Sequence, residues 1–180
     1  MSWSGLGLFL LATLFFWGVG AYNRLMRLRN AIGEAFYLLD RHLGERGSVC
    51  AKVTEALRPL VPSEAASFDA LDKAQAEAEI AAQAARSKPY AGDPIGQLAV
   101  SGALHAAALA RIMSMLDHHP ELREQAGVDA LVDELKLIER QRAFARQLFN
   151  QAVAKYNEAQ SQFPTRVLAG LYGFAEARML

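Results

Sequence analysis

The sequence predicts an all-α protein. A single helix crosses a membrane and continues outward into an antiparallel bundle of about four helices, with a short helix at the carboxyl end. Three observations lead there. No charged side chain occurs before Arg24. Beyond it, apolar residues recur at alternating three- and four-residue spacings, the signature of one buried helix face. Prolines and glycines cluster so as to cut this pattern into long segments, and none of those segments alternates with the period of two that a strand requires.

The opening run sets the topology. Taken as helix, Trp3 to Tyr22 spans about 30 Å, the thickness of a bilayer's hydrocarbon core. Trp3 near one end, and Trp17 and Tyr22 near the other, are placed for headgroup depth. Arg24, Arg27 and Arg29 follow at once. Such a cluster resists translocation, which predicts a single-pass protein of the plasma (inner) membrane, amino terminus outside and body cytoplasmic. The same arginines are positioned to meet anionic headgroups. A signal peptide cleaved after Ala21, leaving a secreted helical domain, is the rival reading, because Val19-Gly20-Ala21 offers a peptidase small residues. No Lys or Arg precedes the run, however, and three follow the cut, so an uncleaved anchor is expected. The glycines at 5, 7, 18 and 20 lie inside the anchor, where they cannot form a phosphate loop, and their spacing is not GxxxG.

Past Tyr22 the stripe Leu25, Leu28, Ile32, Ala35, Leu39, widened by Phe36 and Leu43, continues the anchor as one helix until Pro59 and Pro62 end it. Ser63 is the expected N-cap of an alanine-rich second helix running to about Ser87. The loop "SKPYAGDP" follows. A third helix is expected from Pro94 to Asp117, and "HHPELREQAG" connects it to the last long one. That helix carries Leu131, Leu135, Ile138, Ala145, Phe149, Ala152, Tyr156 and Phe163 on one face, interrupted by Arg142, and ends at Pro164. Residues 23–58 and 128–163 each span 36 positions, about 54 Å of helix. An antiparallel partner of equal length returns the chain to the membrane. The expected domains are therefore a transmembrane anchor (1–22), a helical bundle (23–164), and an amphipathic helix near the membrane (165–180). In the last, Val167, Leu171 and Phe174 either dock on headgroups or close the open end of the bundle.

Charge and composition narrow the chemistry. Nineteen basic and nineteen acidic side chains balance, without the basic excess of a nucleic-acid binder. One cysteine, Cys50, leaves no internal disulfide and no cysteine-rich zinc site, and reads as a small buried hydrophobe. Asp117, His118, His119 and Glu121 crowd a proline-broken turn, where neighbours cannot converge as an i, i+4 pair does, so a solvated helix end is expected there. His42 and His105 have no evident catalytic partner. No catalytic, cofactor-binding or metal site and no small-molecule substrate is predicted; the expected partners are the lipid bilayer and either an unidentified protein or a second copy.

Two segments, "YNRLMRLRNAIGEAF" with Leu39-Asp40, and "ERQRAFARQLFNQAVAKYNEAQSQFP", resemble the LemA family. The matching features are Tyr22-Asn23, Arg29-Asn30, Glu34-Ala35-Phe36, Leu39-Asp40, Glu139, Ala145-Arg146, Phe149-Asn150, Tyr156-Asn157 and Phe163-Pro164. The middle of the chain departs from the pattern, which marks a divergent member. The resemblance implies a membrane-anchored helical bundle of bacteria and no catalytic residues. Its polar members form two stripes of identical spacing: Asn23, Asn30, Glu34, Arg41 and Glu139, Arg146, Asn150, Asn157 are both spaced 7, 4, 7. Laid antiparallel, they would pair Asn23 with Asn157, Asn30 with Asn150, Glu34 with Arg146 and Arg41 with Glu139, a polar zipper fixing a coiled-coil register. On the helical wheel the first stripe falls opposite Leu25, Leu28, Ile32 and Leu39, so a solvated face and a partner or self-association surface stand beside the zipper. The functional expectation is a non-enzymatic interaction or scaffold module. The alternative is an enzyme assembled from Glu139, Arg146 and the histidines.

Overall fold

The computed structural model describes residues 3–125 and 127–180, with side chains from residue 5 onward. The described residues form six helices and no strand: α1 (Trp3–Leu57), α2 (Ala65–Ser87), α3 (Gly92–His118), α4 (Pro120–Arg123), α5 (Val128–Ser161) and α6 (Thr165–Leu171). The long first helix is unbroken through Tyr22. It is apolar and long enough to cross a membrane by composition, and so is α3, which lies within the bundle.

Local chemistry places the ends. Pro62 opens a 3-10 turn, Pro62–Glu64, ahead of α2. Ser63 therefore sits inside that turn; Glu64 occupies the cap position, and its carboxylate accepts a hydrogen bond from Ser67 at 2.7 Å. α3 starts two residues earlier than its proline suggests, with Pro94 inside the first turn. The connection after it holds one helical turn, α4, and Gly127 enters α5 at φ +85°, a conformation that glycine adopts without a Cβ penalty. α6 stops at Leu171. Gly173 is left-handed (φ +71°), and the Phe174 amide donates to the Ala169 carbonyl at 2.9 Å, a Schellman closure. The expected helix over 165–180 is thus seven residues long, and residues 174–180 run extended.

Four long helices pack antiparallel, α1 against α5 and α2 against α3. Buried residues on α1 recur every seven positions at Leu25, Ile32, Leu39, Arg46 and Val53. The partner face of α5 is set by Val128, Val132, Leu135, Ile138, Ala145, Phe149, Val153 and Tyr156. Leu131 and Ala152 lie at its margin, and Phe163 is exposed beyond the end of the helix. The core divides into two. A proximal cluster, on the side of the exposed amino-terminal run, joins Leu25, Ile32 and Phe36 to Ile95, Leu98, Phe149 and Tyr156. A distal cluster joins Val49, Val53 and Leu57 to Phe68, Ile112, Leu116, Val132 and Leu135. Cys50 is buried in the distal cluster, where desolvation pushes its thiol up to about 11 and keeps it protonated.

Candidate functional site

Three features converge along the long helix: the junction where its exposed run meets the bundle, a strap formed by the last residues, and a polar layer between the two cores.

At the junction, α5 returns the chain to the level of Tyr22. Gly18 is buried there, because Leu168 of α6 lies against it with room for no more than a van der Waals contact. Tyr22 meets Tyr172 and Phe174 edge-on, with ring centroids at 5.2 and 5.7 Å. Arg24 and Arg27 are exposed, and Trp17 is partly so. The side chain of Trp3 lies outside the described residues. Arg29 is turned inward: its guanidinium sits 4.1 Å from the Tyr90 ring centroid and 5.8 Å from that of Phe174. Stacked between aromatics, it ties α1 to the α2–α3 loop and to the last residues of the chain. Of the three apolar residues expected on α6, Val167 and Leu171 stand exposed. Phe174 is core instead, because the Gly173 turn swings it into the proximal cluster.

The strap follows from that turn. Residues 174–180 run antiparallel to α5, and side chains of α5 bind their backbone. Gln160 donates to the Phe174 carbonyl at 3.0 Å and the Tyr156 hydroxyl to that of Ala175 at 3.0 Å. Asn157 pairs with Ala177 twice: its amide donates to the carbonyl and its oxygen accepts from the N–H, both at 2.8 Å. Asn150 holds Leu180 in the same two-point manner, at 2.7 and 2.8 Å. The spacing is physical. Seven helical residues from Asn157 to Asn150 rise about 10.5 Å, and three extended residues from Ala177 to Leu180 cover about 10 Å. On its other side the strap meets α3, where Arg178 crosses so close to Gly96 that any Cβ there would displace it.

This arrangement replaces the zipper. Asn150 and Asn157 bond to the strap, Asn23 and Asn30 are exposed, and Glu34, Arg41 and Arg146 are exposed as well. Arg41 pairs with Glu45 of its own helix at 3.7 Å, and Glu139 pairs with Arg46 and Arg142. The helix register explains why the zipper does not form, and the first stripe is the solvated face that stood beside it. Phe36 stacks on Phe149 and Arg46 faces Glu139, contacts five residues out of step with the zipper's pairing.

The polar layer lies where Arg142 interrupts the apolar face. Arg46 is 2% exposed; its Nη1 is 3.6 Å from Oε1 of Glu139, and its Nε has no hydrogen-bond partner among the described residues. Burial lowers its pKa and Glu139 opposes that shift, so the guanidinium stays charged in a poor solvent. Arg142 donates to Glu139 at 2.8 Å. His105 is fully buried with both ring nitrogens unpartnered among the described residues. Desolvation, reinforced by Arg46, pushes it down to about 4, so it is neutral at pH 7. His42, also buried, bonds Glu45 at 2.8 Å. Beside this layer, a cavity of about 290 Å³ is lined by Arg46, Arg142, Arg146, Leu180 and aliphatic residues of α1, α2 and α3. His118 and His119 sit exposed at the distal end, bonded to the Ser114 carbonyl and to Glu121 respectively.

Sequence reasoning missed the strap, Arg46 and the cavity. The signal for Arg46 was present: with Arg142, it is a charge standing on an otherwise apolar seven-residue repeat. The strap left no periodic trace, because an extended segment held by side-chain amides has no helical or strand pattern of its own.

A family model described as the LemA family matches residues 40–180. The match takes in about half of α1 beyond the junction, all of α5 and the strap; the resemblance over Tyr22–Leu39 precedes it. The comparison with curated proteins gives no match.

Proposed function

This chain belongs to the LemA family, and we propose that it is a membrane-anchored, non-enzymatic interaction module. In this reading residues 1–22 anchor it in the bacterial plasma (inner) membrane, residues 23–164 project into the cytoplasm as a stiff bundle, and α6 rests near the headgroups. The observation that carries it is the contrast along one unbroken helix. Leu8, Phe9, Leu11 and Phe16 are about seven-tenths exposed, whereas Leu25 and Ile32 are fully buried. Eight large apolar side chains stand exposed between Leu6 and Phe16. At about 1.5–3 kcal/mol each, a bilayer would stabilise them by roughly 12–24 kcal/mol over water. Arg24 and Arg27, exposed just past Tyr22, support the inward orientation. The contact of Gly18 with Leu168 of α6 supports an uncleaved anchor, since removing residues 1–21 would take it away. Ile80, Val100 and Leu104 on α2 and α3 are exposed and support a protein-facing surface.

The buried native thiol makes topology testable by cysteine labelling. Glu77→Cys is expected to react with an impermeant maleimide only after the inner membrane is breached, and the chain is expected to resist alkaline extraction. Labelling in intact spheroplasts, or a mature chain that begins after Ala21, would overturn the assignment. Photo-crosslinking in native membranes from position 100 or 104 then identifies the partner.

One observation favours a second reading, an enzyme assembled from distant residues: Arg46, His105, Glu139 and Arg142 come together from three helices. If that reading holds, Glu139→Gln abolishes function while Val100→Ser/Leu104→Ser leaves it intact; the interaction module predicts the reverse.

A further inference from the structure

We infer that the cavity beside the polar layer is a binding site for a small soluble carboxylate with an alkyl body. Arg46, Arg142 and Arg146 line it, and Glu139 is the one carboxylate paired with any of them among the described residues. Arg46 and Arg142 share Glu139, and Arg146 makes no ion pair among the described residues. Arg46, 2% exposed and 3.6 Å from Glu139, sets a positive charge in the wall of the cavity. An entering carboxylate supplies countercharge to Arg46 and planar acceptors for the more accessible guanidiniums of Arg142 and Arg146.

The rest of the lining selects the body of the ligand. Leu39, Leu98 and Ala103 stand for a wall that is otherwise aliphatic, with no aromatic ring to stack a base. A nucleotide therefore finds the charge but not the surroundings. Size sets the limit. At about 290 Å³ the cavity lies at the lower edge of ligand pockets, which suits a medium-length alkyl carboxylate and excludes an intact membrane lipid. Position agrees. Arg46 lies 24 residues beyond Tyr22 on one helix, about 36 Å from the exposed run, so the ligand reaches it from solution. Ala103 and Ala106 of α3 and Arg146 of α5 are the exposed members of its lining.

Octanoate is the probe. The full chain in phosphatidylcholine nanodiscs is titrated by calorimetry, with empty discs as the blank. One octanoate per chain is expected. Acetate lacks the body and octanol the charge, and each is expected to bind at least about tenfold more weakly. Arg146→Gln, at an exposed position that leaves the fold intact, is expected to weaken octanoate about tenfold by removing one charge-assisted contact. Ala103→Leu fills the cavity from its exposed rim with every charge in place, and is expected to abolish binding at an unchanged melting temperature. Oleate in the disc lipids is expected not to compete. Octanoate binding that survives both substitutions, octanol that matches octanoate, or oleate that competes would each overturn the assignment.

Discussion

Two polar stripes with the same 7-4-7 spacing meet different fates in this molecule. On α5, Asn150 and Asn157 border the buried Phe149 and Tyr156 and spend their amides on the backbone of the strap. On α1, Asn23, Asn30 and Glu34 lie across the helix from Leu25 and Ile32 and remain exposed. The difference teaches that spacing fixes which residues share a line on a helix, while the neighbouring backbone decides what the line does. An extended segment lies beside α5 with unpaired N–H and C=O groups, and a primary amide matches a peptide group donor for acceptor. Nothing comparable lies against the α1 stripe among the described residues.

Substitutions can break this comparison at graded cost. Phe174→Ala removes the strap's aromatic from the proximal core and is expected to lose about 3 kcal/mol of stability, measured by denaturant unfolding of the full chain in detergent. Asn157→Ala leaves the Ala177 N–H and carbonyl unpaired, and about 2 kcal/mol is expected for the two lost bonds. Asn30→Ala on the exposed stripe is expected to stay within about 0.5 kcal/mol. A loss on α1 equal to that of Asn157→Ala would show that the two stripes share the structural load after all.

The polar layer sharpens the contrast through pH. The folded pKa of His105 is depressed to about 4 from an ordinary 6.5. Below pH 6.5 the unfolded chain binds a proton that the folded chain refuses, so stability falls as pH drops from about 6.5 to 4 and is flat in this respect above 7. His105→Leu is expected to remove that part of the slope in urea midpoints measured across the range. An unchanged slope would place the acid sensitivity elsewhere.

Much of the fold was legible because its causes are local. The uncharged run, Pro59 with Pro62, the "SKPYAGDP" loop and Pro164 each punctuate the chain through backbone chemistry that needs no tertiary context. The family was legible too, from residues on α1 and α5. What was not legible depends on placement in space. The zipper pairing followed from symmetry in the numbering, but the true register is set by large apolar contacts such as Phe36 with Phe149, which outweigh a row of exposed amides. For Phe174, docking on headgroups and closing the open end of the bundle were both expected; the left-handed turn at Gly173 sends it inward, where it closes the proximal core. Arg46 carried no warning beyond its place in a heptad, since a single charge within a helix is ordinarily a surface residue.

The strap is the feature on which most of this rests: it fills the proximal core, employs the α5 stripe and borders the arginine cavity. Amide hydrogen exchange of the full chain in nanodiscs tests it most directly. The account predicts slow exchange at Ala177 and Leu180 in the native chain, fast exchange at Ala177 in Asn157→Ala, and no change at either in Asn30→Ala. Rapid exchange of both amides in the native protein would contradict it.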